Sequence, residues 1–203
     1  MLWVSIPYSF YPITSSNNTL VLNNGANSVS IPPGYYSTST FVTTLQNLLQ
    51  TVDPSFTVTL SSTTAKITIS ATTAFVINSS GSLTKGLGFV ADTAAGLTAT
   101  ATNVLNISGP QYLSVVSKAL GEIRSRQSIL TPSLVNSIAT VPVNTNFGGF
   151  IYSEPKIPFQ CHLSTTFEIT TDVDFALVDD QGAAIDMNGV DWSIALEIKR
   201  DFA

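Results

Sequence analysis

Near the end of the chain Trp192, Ile194, Leu196 and Ile198 alternate with Ser193, Ala195, Glu197 and Lys199. Residues two apart share a face only in an extended strand, so this pattern specifies a half-buried β-strand. The same period recurs. Phe56, Val58 and Leu60 alternate with Thr57 and Thr59; Ile67 and Ile69 alternate with Lys66, Thr68 and Ser70; Val173, Phe175 and Leu177 alternate again. Residues 19–22, 28–31, 112–117, 137–143, 149–152 and 163–170 are rich in β-branched and aromatic types and read as further strands. Turn signals separate them: Asn23-Asn24-Gly25, residues 61–64, Asp180-Gln181-Gly182 and Asn188-Gly189. The last is the strongest hairpin dipeptide, because both residues tolerate positive φ.

One segment breaks the period. Phe41, Leu45, Leu48, Leu49 and Val52 recur at helical spacing and predict a single amphipathic helix over about 38–52. Ser37 or Ser39 can cap its start, and Asp53-Pro54 ends it. Residues 75–77 suggest another strand, 82–89 a short helix closed by glycine, and 90–103 a loop or weak strand. Many short strands with one helix predict a mainly β fold, a sandwich rather than a βαβ array. About eight strands suffice for a single jelly-roll-like antiparallel sandwich. The expected organisation is one domain over 1–203, with the helix in an α+β insertion at about 32–106.

Charge is scarce. Only 10% of the 203 residues are charged while 44% are hydrophobic, and the net charge is −5. Such a surface presents Ser, Thr, Asn and apolar groups, which suits burial against neighbouring copies better than a monomer's hydration. Lys118, Arg124 and Arg126 form a loose cationic cluster, too small for an electrostatic footprint on nucleic acid. No stretch reaches the ~20 apolar residues of a membrane-spanning helix. The start, Met1-Leu2-Trp3-Val4-Ser5-Ile6-Pro7, has no basic leader segment, so synthesis in the cytoplasm is expected. Asn17, Asn78 and Asn106 open glycosylation sequons, which a sequence this rich in Ser and Thr produces by chance.

The chemical inventory is thin. His162 and Cys161 are the protein's single histidine and single cysteine, and adjacent residues in a strand point to opposite faces. A triad or dyad built on them is not expected, nor a zinc site, which takes three or four ligands. The late acids Asp172, Asp174, Asp179, Asp180, Asp186 and Asp191 invite a calcium reading. Ala176 and Leu177 fail the EF-hand pattern, leaving a site between loops as the alternative to ordinary turn-opening acids. A glycosidase pair would need a separation that sequence does not define. Gly86-Leu87-Gly88-Phe89 is neither a phosphate loop nor a dinucleotide fingerprint. No catalytic, cofactor or metal residues are assigned.

Two ordered blocks carry a resemblance. The first runs from Ile31-Pro32-Pro33-Gly34-Tyr35-Tyr36-Ser37 through the helix to Lys66-Ile67-Thr68-Ile69 and Gly86-Leu87-Gly88-Phe89. The second joins Gly109-Pro110-Gln111-Tyr112-Leu113 to residues 175–182 and to Asp186-Met187-Asn188-Gly189-Val190-Asp191-Trp192-Ser193. Their order, across most of residues 28–203, resembles the penton or minor capsid proteins of Polinton-like viruses and virophages, in the adenovirus-like capsid lineage. The resemblance implies a non-enzymatic jelly roll that forms homopentamers at icosahedral vertices of the virion, beside capsomers of the major capsid protein. The start of the sequence departs from longer versions in that group, which keeps a minor or cement protein between capsomers in view. A receptor- or glycan-binding spike module, with residues 32–106 as its binding element, is the alternative from another class. A hydrolase using the late carboxylates is a third.

Overall fold

The structure, a computed structural model, describes residues 2–117, 137–154 and 173–197. Strand β1 is Trp3–Pro7, β2 is Thr19–Leu22 and β3 is Asn27–Ser30. Helix α1 is Thr38–Gln50. Then follow β4 Thr57–Leu60, β5 Ile67–Phe75, β6 Ile77–Asn78, β7 Gly96–Thr100 and β8 Tyr112–Val116. The series closes with β9 Ser137–Pro142, β10 Phe150–Ser153, β11 Ala176–Val178 and β12 Ser193–Ala195. Among the described residues these strands make four antiparallel sheets of three: β10-β1-β12, β11-β8-β9, β3-β2-β6 and β4-β5-β7. The fold is mainly β and jelly-roll-like, as the strand periodicity predicts. It divides into two compact units, Met1–Phe10 with Pro110–Ala203, and Tyr11–Gly109.

In the Tyr11–Gly109 unit, α1 forms where the apolar spacing predicts it. The Ser37 side chain accepts from the Thr40 N–H at 3.2 Å, satisfying a donor that the first turn leaves orphaned. Phe41, Leu45 and Leu49 are buried along one face and join Leu20, Leu22, Ile31, Val58, Ile67 and Ile69 in one core. Phe56 and Phe75 meet edge to face at 5.1 Å. The helix also finishes a sheet. Gln46 Oε1 accepts from the Val58 N–H and Gln50 Nε2 donates to the Phe56 carbonyl, both at 2.9 Å. Those bonds occupy backbone groups in β4 and just before it, β4 being an outer strand of its sheet.

Residues 82–88 are turns rather than the expected short helix. Leu87 N–H bonds Leu83 O, then Gly88 N–H bonds Lys85 O and Phe89 N–H bonds Thr84 O. Gly88 has φ 89, so this is one helical turn shut by a left-handed glycine. Closing there points Leu83, Leu87 and Phe89 into the core, all buried. The expected weak segment 90–103 contains a true strand, β7, whose Ala99 is buried.

The compact unit is wider than the expected insertion at 32–106. Strands β2 and β3 pair with each other and with β6, and their Leu20, Leu22 and Val29 share the helix's core. Within this unit a Cβ at Gly109 would lie 3.1 Å from Pro12 Cβ. The two ends of this unit therefore lie close together.

The other unit buries Val4, Ile6, Leu113, Val115, Val141, Ile151 and Leu177. Tyr8 and Phe10 stack at 4.5 Å beside Phe147. Strand β1 was hidden in sequence among residues that alternate weakly. The Asn188-Gly189 turn forms, with φ 53 and 75, but β11 and β12 beside it enter different sheets, so it closes no hairpin between them. Asp180-Gln181-Gly182 does lie in a tight return, with Val178 bridged to Ala184. The strand expected at 163–170 lies outside the described residues.

The β4–β5 turn holds Ala65 at φ 52, where a Cβ is strained. Ala65→Gly removes that strain and is expected to raise stability by about 1 kcal/mol. Urea unfolding would show a higher midpoint with an unchanged slope.

Candidate functional site

The late carboxylates are engaged locally. Asp179 Oδ1 accepts from the Gln181 and Ala183 N–H groups at 2.9 and 2.8 Å. Asp186 Oδ1 accepts from the Asn188 N–H at 2.9 Å. Both act as turn-formers, with the side chain standing in for a backbone acceptor. Asp174 and Asp191 are exposed. Among the described residues no group of three His, Cys, Asp or Glu side chains is placed to hold a metal ion. Asp172, Cys161, His162, Lys118, Arg124 and Arg126 lie outside the described residues. A depression lined by Ser39, Thr40, Thr43 and Thr44 offers hydroxyls only.

Asp92, which belongs to no sequence pattern, sits at a polar junction. Its carboxylate accepts from Ser79 N–H at 2.6 Å, Ser79 Oγ at 2.7 Å and Asn78 Nδ2 at 3.3 Å. Asn78 is buried and also bonds Asn24 through its Oδ1 and Nδ2. The Ser79 backbone donation, then the Ser79 and Asn78 side chains, hold the Asp92 carboxyl below its ordinary pKa. The loop from 79 to 92 is thereby stitched to the Asn24 turn.

What the sheets turn outward is more distinctive. On β4-β5-β7 the register aligns Thr57 with Ser70 and Thr98, and Thr59 with Thr68 and Thr100. Thr68 and Thr100 hydroxyls bond at 3.0 Å, and Ser70 and Thr98 at 3.1 Å. Alternation buries Val58, Ile67, Ile69 and Ala99 beneath them. This face bears six hydroxyls in two rows.

The β10-β1-β12 sheet turns a different face outward. Val4, Ile6 and Ile151 point inward, so Trp3, Ser5, Pro7, Phe150, Tyr152, Ser193 and Ala195 share the opposite side. Phe150 is 68% exposed and Tyr152 54%, and Trp3 stacks on Tyr152 at 6.5 Å. None of these seven residues is charged. Tyr152 donates to Glu154 at 3.1 Å, and desolvation with that acid's bond and charge pushes the phenol's pKa up. Sequence showed residues 149–152 and 192–198 as separate strands and gave none at 3–7; the face exists only once pairing brings residue 5 beside 152 and 193.

The described protein is thus mainly β and jelly-roll-like, and its distinctive features are outward faces whose paired strand residues carry no charge. No family model matches it, and no curated protein does. Among solved structures it is similar to a crystal structure of selenomethionine-labelled mavirus penton protein. That comparison has 10% identity and a TM-score of 0.42, covering 89% of this protein and 77% of the other.

Asp92 sets a pH dependence. A depressed carboxyl pKa contributes stability above the unfolded-state value, and that stability is lost as pH falls through the folded-state value. Asp92→Asn is expected to flatten the acid-side fall of the thermal midpoint while leaving its fold intact at neutral pH. Equal acid-side slopes in parent and variant would refute this.

Proposed function

We propose that this protein is a structural capsid protein without enzymatic activity, forming homopentamers at icosahedral vertices of the virion. Its neighbours there would be capsomers of the major capsid protein. In this reading Tyr11–Gly109 is carried as an insertion by a single jelly-roll-like domain. The observation that carries it is the aromatic face of β10-β1-β12, with Phe150 and Tyr152 exposed and a single acid, Glu154, bonded to Tyr152. Cores of protein interfaces are enriched in Trp, Tyr and Phe and depleted of charge, whereas an isolated molecule hydrates such a face poorly. The order of the two sequence blocks supports the capsid class, and the scarcity of charge supports close packing of copies. A five-fold ring closes by heterologous contacts, each copy meeting the next through two different patches.

Native mass spectrometry of the purified protein is expected to give a pentamer. A monomer at high concentration would overturn the reading, and another closed ring would move it to a cement protein between capsomers. Phe150→Ser with Tyr152→Ser is expected to weaken association by about 2 kcal/mol or more, roughly 30-fold, as loss of central aromatic anchors does.

A further inference from the structure

The protein holds two Asn-Gly turns, Asn24-Gly25 and Asn188-Gly189. Both asparagines are exposed and left-handed, with φ 55 and 53. Such a step is chemically labile. Glycine has no side chain to shield its own amide nitrogen, which can attack the amide carbon, Cγ, of the asparagine before it. Attack requires the asparagine amide to leave its hydrogen bonds and swing back along the backbone, so local opening controls the rate.

The two turns differ in what holds them shut. Asn24 is tied through its N–H and its Oδ1 to Asn78, a buried residue that Asp92 holds in turn. Asn188 is tied at the surface. Its Nδ2 donates to the Ser9 carbonyl, Ser9 Oγ donates back to the Met187 carbonyl at 2.7 Å, and Asp186 accepts the Asn188 N–H. Exposed bonds open more readily than bonds to a buried partner.

We propose that Asn188 is a self-modification site, a deamidating turn gated by its clamp to Ser9. When the clamp opens, the Gly189 nitrogen bonds to Asn188 Cγ and the Cγ–Nδ2 bond breaks. The Gly189 amide proton passes through solvent to the departing nitrogen, which leaves as ammonia. Water then opens the cyclic imide to aspartate or isoaspartate, and nothing is oxidised or reduced. The product cannot restore the clamp. A carboxylate now faces the Ser9 carbonyl where a donor stood, and isoaspartate also lengthens the turn's backbone.

The test is peptide mass spectrometry of the full-length protein aged in mildly alkaline buffer, with and without urea, scoring isoaspartate at both turns. In the folded parent, position 188 is expected to convert several-fold faster than 24, and in urea the two rates are expected to converge. Ser9→Ala is expected to speed conversion at 188 alone, and Ser9→Thr, which keeps the hydroxyl, to restore the parent rate. The parent measurement decides even where the alanine variant folds poorly. Position 24 converting as fast as 188 in the folded parent would overturn the proposal, as would a Ser9→Ala rate at 188 no different from the parent's.

Discussion

A buried or edge backbone group must find a hydrogen-bond partner, and this protein meets that demand with uncharged side chains. Sheets of three strands leave much of their backbone unpaired along two edges. In the Tyr11–Gly109 unit, amides and hydroxyls occupy those groups. Gln46 and Gln50 serve β4, Thr93 Oγ1 accepts the Ile77 N–H at 2.9 Å, and Asn23 Oδ1 accepts the Val76 N–H at 3.0 Å. Asn18 Nδ2 donates to the Ile31 carbonyl at 2.8 Å. Among the described residues no buried side-chain nitrogen or oxygen lacks a partner. Short sheets are stable here because their loops return side chains to the strands' open edges.

That solution explains the composition. Neutral amides and hydroxyls can be buried with one or two hydrogen bonds, whereas a buried charge needs a partner ion and carries a larger desolvation cost. A protein that settles its edges with Asn, Gln, Ser and Thr needs few ions inside. Its outer faces then inherit the same chemistry, hydroxyls on β4-β5-β7 and aromatics on β10-β1-β12. The paired strand residues of both faces are uncharged, with Glu154 bonded to Tyr152 at the margin of the aromatic one.

Legibility in sequence tracked how local each signal was. Helix α1 and strand β2 depend on nearby spacing alone, and both stand where the pattern places them. The short helix expected at 82–89 treats Gly86 and Gly88 as the end of a longer element, whereas Gly88 closes the first turn and turns Phe89 inward. Strand β11 is shorter than the alternation from Val173 suggests, and Ile198 and Lys199 of the late alternation lie outside the described residues. The wider boundary of the helix-bearing unit depends on β2 pairing with β6, a contact more than fifty residues apart, to which no local signal corresponds. The aromatic face was invisible for the same reason, being assembled from residues 3–7, 150–152 and 193–195. Asp92 was missed because one acid in an Ala/Thr-rich stretch has no pattern around it.

The acids show how composition misleads without geometry. Six late aspartates within twenty residues look like a concentration of chemistry. Asp179 and Asp186 are each engaged with backbone N–H groups of the next few residues, which fixes their direction toward their own turns. One oxygen of each, Oδ1, is thereby committed to a turn, so the cluster of acids is first of all a set of turn-formers. The same accounting applies to Asn188, whose amide bonds the Ser9 carbonyl across the unit. In a protein with few charges, polar side chains are placed first by the backbone's unmet bonds, and its recognition surfaces are what remains after those bonds are made.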